Sequence, residues 1–526
     1  MARLQNNDAR LAILDFANES NGDGGGLAFD DAMVNALTRT DTSIVQELSV
    51  PVDALTKTGY RRLASFLRKD GSVLQSLSIS CSTRSKASDW AHFFSSLDPT
   101  TTTIRKLYID ATTTDRLLEA HEKDIVSSFF RKNTSIQSLD IVCYDQDDND
   151  DGGYGYGDGY SDGRNDCNRA EKSQIRGSTS HYDETSGDRN GSSAQYNGQQ
   201  DGFTLLDCVL EGLCGNTTVA SLCVTDFMYS RSNVARQSLQ SFLHLNEGVE
   251  TLEVISDLCT VAAGLIDGLQ CNAKQRELRI TNFSEEASVA FFQGFGTASN
   301  VDTLEMTNCS VTGKALPMLV QGLRKNTDIR SLVVGLAEDI SLSQFLKQVI
   351  APAIMNHPSL KEVFIQDVEN IFDHVGATAL GDGLIQNACL ERFTLEAKEI
   401  TTNAAMFFGL RLPSMQFLKS ITLVGTICEH AKQMLADKLQ HNYSLTEVTF
   451  DPASTNSAAE AIIGQVCRRN QQIEQSKVVL PARMNFFNNH KPTSSSPAGP
   501  VSVMTSSPRS TTAMPTLPAP ATAFGL

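Results

Sequence analysis

The chain has 526 residues, and 61 Asp and Glu against 44 Lys and Arg give it a formal net charge of −17. Nucleic-acid partners require concentrated Lys and Arg, and no basic patch is evident in the sequence, so this balance argues against binding to a phosphate backbone. A length of this kind ordinarily suggests several domains, but stacked repeats can reach it as one continuous domain.

Residues 1–27 are predicted to be a flexible N-terminal segment. Residues 1–19 have no uninterrupted apolar run and carry Asp8, Arg10 and Asp15. This pattern fits neither a signal peptide nor a transmembrane helix, so we expect an intracellular, cytoplasmic protein with no membrane partner. The Gly-rich run at 21–26 is interpreted as a linker, because no Gly-Lys-Ser/Thr follows it to complete a phosphate loop.

A motif of three aliphatic anchors, spaced three and then two residues apart, recurs from Val45 to Phe450. The eight steps from Leu222 to Val448 average about 28 residues. The middle anchors of the thirteen copies are Leu48, Leu77, Leu107, Leu139, Leu222, Leu252, Leu278, Leu304, Leu332, Val363, Phe393, Ile421 and Val448. The spacing predicts a short strand followed by a helix in each unit, and neither can bury its apolar face alone.

An asparagine recurs three residues before the first anchor of many units, at Asn133, Asn216, Asn246, Asn272, Asn326, Asn387, Asn442 and Asn470. We interpret it as a helix-ending corner. Asparagine tolerates the left-handed backbone conformation that a helix terminus often requires, and its amide can satisfy orphaned backbone groups.

The segment from Val301 to Ile329 resembles the repeat of the ribonuclease-inhibitor-like class of leucine-rich-repeat proteins. The resemblance covers roughly residues 30–475, with Gln275, His357 and Met415 as departures from the pattern. It implies an α/β solenoid: a curved horseshoe of about 13 strand-helix units, with a parallel concave sheet and helices on the convex side. We assign the repeats to residues 28–143 and 202–475.

An insertion at 144–201 separates the two sets of repeats. It is rich in Gly, Asp, Tyr and Ser, and it is predicted to be disordered because it holds too few aliphatic side chains to offset its ordering entropy. Asp147, Asn149, Asp151, Gly152 and Asp158 match an EF-hand calcium loop, but acidic low-complexity sequence makes such matches by chance, and a solvated loop is favoured. Residues 476–526 are predicted to be a Ser/Thr/Pro-rich disordered tail.

Apart from the calcium-loop match, no motif for catalysis, a metal or a cofactor is present. The nine histidines form no H-x-x-x-H pair, and the sequence has no G-x-S-x-G and no H-E-x-x-H. We therefore expect a protein that is not an enzyme and needs no cofactor.

Residues that directly follow the middle anchors are predicted to face solvent on the concave sheet. Most are small or polar, whereas Val333 and Phe364 are consecutive apolar members, with Arg392 on the neighbouring row. Aromatic and Arg side chains are frequent interface anchors. The candidate protein-binding residues are thus Tyr108, Arg279, Val333, Phe364 and Arg392, while a simple strand preference of Val and Phe is the alternative interpretation.

The function predicted from these features is a non-enzymatic protein-protein interaction scaffold, expected to be a monomer, that binds a protein partner on its concave face. The alternative is a GTPase-activating protein resembling the Ran GTPase-activating family. No functional arginine of that family aligns with a residue of this chain. A receptor or ligase sensor is disfavoured because about 40 residues precede the first predicted strand.

Overall fold

A computed structural model shows the fold. The structure describes residues 13–15, 34–35, 37, 45–51, 55–68, 74–81, 87–100, 103–113, 118–145, 203–226, 233–270, 275–298, 300–337, 340–451 and 458–488. Most of the insertion and most of the tail, with their predicted disorder and the calcium-loop match, lie outside these residues.

The described strands form one parallel sheet in strict chain order. They are β1 Ile13–Asp15, β2 Glu47–Pro51, β3 Ser76–Cys81, β4 Lys106–Thr113, β5 Ser138–Asp145, β6 Ser221–Asp226, β7 Thr251–Ile255, β8 Glu277–Thr281, β9 Thr303–Thr307, β10 Ser331–Gly335, β11 Glu362–Phe372, β12 Arg392–Ile400, β13 Ser420–Ile427 and β14 Glu447–Asp451.

A helix follows nearly every strand and returns the chain to the start of the next one. The helices are α1 Lys57–Leu67, α2 Ala87–Ser96, α3 Ala120–Lys132, α4 Leu205–Leu213, α5 Asn233–Leu245, α6 Cys259–Leu269, α7 Glu285–Phe295, α8 Ala315–Lys325, α9 Leu342–Phe345, α10 Ala351–Ile354, α11 His374–Ile385, α12 Thr402–Gly409, α13 Glu429–Leu439 and α14 Ala458–Asn488. A π-helical segment, Leu346–Ile350, joins α9 to α10, and a 3₁₀ turn, Leu412–Ser414, follows α12.

The thirteen predicted anchor sets lie on β2 to β14, and their middle anchors pair in register from Leu48 to Val448. Nearly all the anchors are buried, while the residues between them are partly exposed. Period-2 burial on the strands and apolar stripes on the helices therefore produce one continuous core. The predicted solenoid is confirmed.

The recurrent asparagine does form a buried corner, but the predicted left-handed backbone is wrong. Asn133 and Asn326 have φ of −69° and −76° with extended ψ, and positive φ occurs elsewhere, for example at Asn300. The amide explains the difference. Asn326 Nδ2 donates to the carbonyls of Phe295 and Ala298 in the preceding repeat, at 3.1 and 2.9 Å.

The carboxamide oxygen of the same asparagine completes the corner. Asn326 Oδ1 accepts the backbone N–H groups of Asp328 and Ile329, at 3.0 and 3.1 Å. One side chain thus links the backbone just before its own strand to the corner of the previous repeat by hydrogen bonds. Three other asparagines repeat this arrangement: Asn216, Asn246 and Asn442.

His357 replaces this asparagine, as the sequence predicts. Its Nδ1 accepts the N–H of Leu360 at 3.1 Å, so Nε2 carries the proton that is donated to the carbonyl of Leu323 at 3.0 Å. Burial lowers the pKa of His357 below its usual 6.5, against the opposing effect of hydrogen bonds to the Leu323 and Asn326 carbonyls.

Two elements lie across predicted boundaries. β1 lies inside the segment 1–27 that is predicted to be flexible, and it pairs in parallel with β2 from Ile13 to Asp15. The predicted tail begins at residue 476, but α14 continues to Asn488. The helical spacing of 458–475 thus extends into a segment whose composition is typical of disordered chain.

The chain divides into two compact units between residues 471 and 472, and the repeats belong to the first unit.

Candidate functional site: the strand face

The side chains that directly follow the middle anchors form one continuous row across the sheet, here called the strand-face row. Its members pair in register from strand to strand, and every one is partly or fully exposed. They are Ser49, Ser78, Tyr108, Asp140, Cys223, Glu253, Arg279, Glu305, Val333, Phe364, Thr394, Thr422 and Thr449.

Three of the five candidate residues lie together. Val333 and Phe364 are register partners on β10 and β11, and the next member of the row is Thr394. Arg392 is two residues before Thr394, so it is diagonal to Phe364 on the adjacent strand. Its guanidinium donates to Glu362 Oε2 at 2.8 Å. Glu362 and Phe364 are both on β11, so this hydrogen bond holds the cation next to the strand that carries Phe364.

The other two candidates lie apart from this group. Arg279 is on β8, two strands before Val333, and Tyr108 is on β4, next to Asp140 in the row. Neighbouring strands are about 4.8 Å apart, so Tyr108 is roughly 19 Å along the sheet from Arg279. The five residues therefore occupy three separate places on one face: the group on β10 to β12, Arg279 on β8 and Tyr108 on β4.

An acidic group surrounds Arg279. The guanidinium is 2.6 Å from Glu277 Oε1 and 3.2 Å from Glu305 Oε2. Burial acts to lower the pKa of Arg279, but the hydrogen bond to Glu277 and the neighbouring carboxylates raise it overall. Glu253 precedes Arg279 in the row, and burial raises its pKa despite the nearby cation.

The acidic group extends toward the N-terminal repeats. Burial raises the pKa of Asp140, and a hydrogen bond from the thiol of Cys223 partly opposes the shift. The pKa of Cys223 is also raised, chiefly by burial and then by the charge of Asp140. A neutral thiol is a poor nucleophile, so this pair points to packing and charge rather than covalent chemistry.

Sequence reasoning places Asp140, Glu253 and Glu305 on the row but does not recognise their common charge. Their shared register is the signal that could have revealed it. A second omission is the exposed apolar pair Val368 and Ile371, which are 51% and 46% exposed. They flank a register shift between β11 and β12, and no anchor spacing marks a bulge.

No group of three or more His, Cys, Asp or Glu in the described residues is arranged to hold a metal ion. Among the helices that the structure describes, none is both long and apolar enough to cross a membrane.

No protein-family model matches the chain, and no curated protein matches it. Solved structures show some similarity. The leucine-rich-repeat protein LegL7 from Legionella pneumophila has 10% identity over 50% of this chain and 86% of that chain, with a TM-score of 0.33. Leiomodin-1 actin-binding site 2 has 14% identity over 38% of this chain and 96% of that chain, with a TM-score of 0.25. A yeast complex of Rad7 and Elc1 aligns at 15% identity over 86% of both chains, with a TM-score of 0.30.

These similarities are too distant to inform function. The fold follows from the molecule itself, because in-register parallel strands in chain order alternate with helices around buried anchors at a period near 28 residues. The chain is a leucine-rich-repeat solenoid.

Proposed function

We propose that this protein is a non-enzymatic scaffold that binds a protein partner on its strand face. The single observation that carries the proposal is the unbroken strand-face row, in which every member is at least partly exposed while the anchors on either side of it are buried. Side chains on this row take little part in the core, so they are available for recognition.

The chemistry of the row supports a partner with two kinds of contact. Val333 and Phe364 offer apolar area with a neighbouring cation, Arg392, which is the composition typical of interface anchors. Toward the N-terminal repeats the row offers carboxylates at Glu253 and Glu305 instead. A protein surface with an apolar centre and a basic end would complement both.

The ion pairs of the strand face do not favour the alternative function, GTPase activation by an arginine of that face. Such an arginine must reach a phosphate as the transition state forms. Arg279 is held between Glu277 and Glu305, and Arg392 is paired with Glu362. Carboxylates at these distances repel the phosphate, so a GTP-hydrolysis assay with small GTPases should show no acceleration.

The experiment begins with affinity capture of partners by the full chain, followed by mass spectrometry and calorimetry with the purified main partner. We expect Phe364→Ala together with Arg392→Ala to weaken binding by about 2 kcal/mol or more, roughly thirtyfold, since truncated interface anchors have effects of this size. Stability should change little, because the Arg392–Glu362 pair is exposed.

The matched control removes an exposed Phe and an exposed cation away from the row. Phe417 is 51% exposed ahead of β13, and Lys438 lies in the last turn of α13. Phe417→Ala with Lys438→Ala should leave binding unchanged. Undiminished binding by the row variant would rule out this part of the face. We also propose that the protein is intracellular and acts as a monomer. Light scattering on the purified chain tests the oligomeric state.

A further inference from the structure

An open groove of about 520 Å³ lies on the helical side of the solenoid, between α8 and the π-helical segment. Leu316, Pro317 and Val320 of α8 form its apolar part, and Gln348 of the π-helical segment lines it from the neighbouring repeat. These apolar side chains retain solvent exposure at a place where the outer face of a solenoid helix is ordinarily polar.

The sequence explains why the groove exists here. Pro352 has no N–H to donate to the carbonyl of Gln348 four residues earlier, so a regular α-helix cannot continue through this point. The chain adopts a π-helical turn from Leu346 to Ile350 instead. Such turns are rare and are often associated with functional sites.

The two ends of the groove differ in chemistry. Helical spacing places Leu316, Val320 and Arg324 on one line, and Gln321 and Lys325 on the line beside it. The apolar side chains are therefore at the N-terminal end of α8, and two adjacent cations are at its C-terminal end. The distance between the ends is about 14 Å, since nine residues rise by roughly 1.5 Å each.

Arg324 and Lys325 form no ion pair with any residue that the structure describes. The equivalent last turn of α3 carries Arg131 and Lys132, and there Arg131 lies 3.7 Å from Glu211. In a protein of net charge −17, an unneutralised cation pair beside apolar surface complements an acidic ligand.

We propose that this groove docks a short acidic segment of a partner protein as an amphipathic helix of about three turns. Helices bind grooves between helices by inserting apolar side chains at three- and four-residue spacing. The partner's apolar side chains lie on Leu316 and Val320, and its carboxylates meet Arg324 and Lys325. The site is independent of the strand face, and its occupant has the opposite charge from the one that the acidic group around Arg279 favours.

The test uses a fluorescent synthetic helical peptide of about 14 residues, with leucines at three- and four-residue spacing in one half and glutamates in the other. Anisotropy titration with the full chain should show saturable binding that weakens as salt is raised. Arg324→Glu with Lys325→Glu should weaken binding at least about tenfold, because it replaces attraction by repulsion. Val320→Ser should weaken it as well.

Two controls make the result decisive. Arg131→Ala with Lys132→Ala removes a cation pair from the same turn of another helix, and it should leave binding unchanged. A peptide of identical composition in scrambled order should bind at least about tenfold more weakly, because its leucines no longer share one face.

Absence of binding, equal binding by the Glu variant, or equal binding of the scrambled peptide would overturn the proposal. Binding that appears only after residues 144–201 are deleted would also overturn it, because the groove would then belong to this chain's own acidic segment rather than to a partner.

Discussion

Asn326→Ala tests how the repeats are joined. The substitution removes four hydrogen bonds at one buried corner: two that Nδ2 donates to the Phe295 and Ala298 carbonyls, and two that Oδ1 accepts from Asp328 and Ile329. A buried polar group that loses its partner costs about 1–3 kcal/mol. With some of the four groups regaining a bond to water, we expect the free energy of unfolding to fall by about 3–5 kcal/mol.

Asn326→Asp distinguishes the two halves of the amide. Aspartate keeps the acceptor for the two N–H groups but turns an anionic oxygen toward two carbonyls. We therefore expect Asn326→Asp to lose at least as much stability as Asn326→Ala at neutral pH and to regain part of it in acid, when the carboxyl can donate. Urea unfolding followed by circular dichroism measures both, and hydrogen exchange should place the loss at β9 and β10.

The matched control is Gln433→Ala, which also removes a side-chain hydrogen bond, from Nε2 to Asp437 Oδ1 at 2.8 Å, but on an exposed helix surface. Its effect should be about 0.5 kcal/mol or less. A loss below about 1 kcal/mol for Asn326→Ala, or a smaller loss for Asn326→Asp than for Asn326→Ala, would refute the reasoning that the amide links two repeats.

Three further predictions concern register and pH. Leu304→Asp should destabilise the protein by several kcal/mol because it buries an unpaired charge, whereas Glu305→Ala should have a small effect; equal urea midpoints would contradict the strand register. Because the lowered pKa of His357 keeps its ring neutral in the folded state, wild-type stability should be full above about pH 6.5 and should fall below it. His357→Asn should abolish this acid-dependent step in thermal melts, and an unchanged step would exclude the histidine as its source. Because burial raises the pKa of Glu253, its ionised form disfavours folding, so Glu253→Gln should raise the melting temperature at pH 7 but not below about pH 4.5; a gain that is independent of pH would contradict this cause.

The strands are predictable because their signal is local and repeated. Each anchor triplet specifies which side of a strand is buried, and thirteen copies, evenly spaced except across the insertion, leave little freedom in the pairing. The same spacing is sufficient to place Val333 and Phe364 side by side on adjacent strands. Whether these residues bind a partner stays a prediction.

The corner geometry is not predictable in the same way. Asparagine's tolerance of left-handed backbone is a property of one residue, whereas the conformation at Asn326 is decided by two carbonyls about 30 residues earlier in the chain. The ion pairs of Arg279 and Arg392 depend similarly on which side chains the neighbouring repeats supply. The bulge that exposes Val368 comes from a shift in register, and spacing along one strand does not report it.

The separation of these roles explains how one solenoid can acquire a specific partner. Backbone pairing, buried anchors and corner amides hold adjacent repeats together, and none of them uses the side chains of the strand-face row. Substitution on the row therefore changes charge and shape at little cost in stability, so the row can vary from Ser49 through the acidic Glu253 to the apolar Phe364 on an unchanged scaffold. For the same reason, a loss of binding after Phe364→Ala and Arg392→Ala can be separated from a loss of fold. A collapsed melt in that variant would mean that Phe364 belongs to the core, and the strand face would then lose its principal apolar contact.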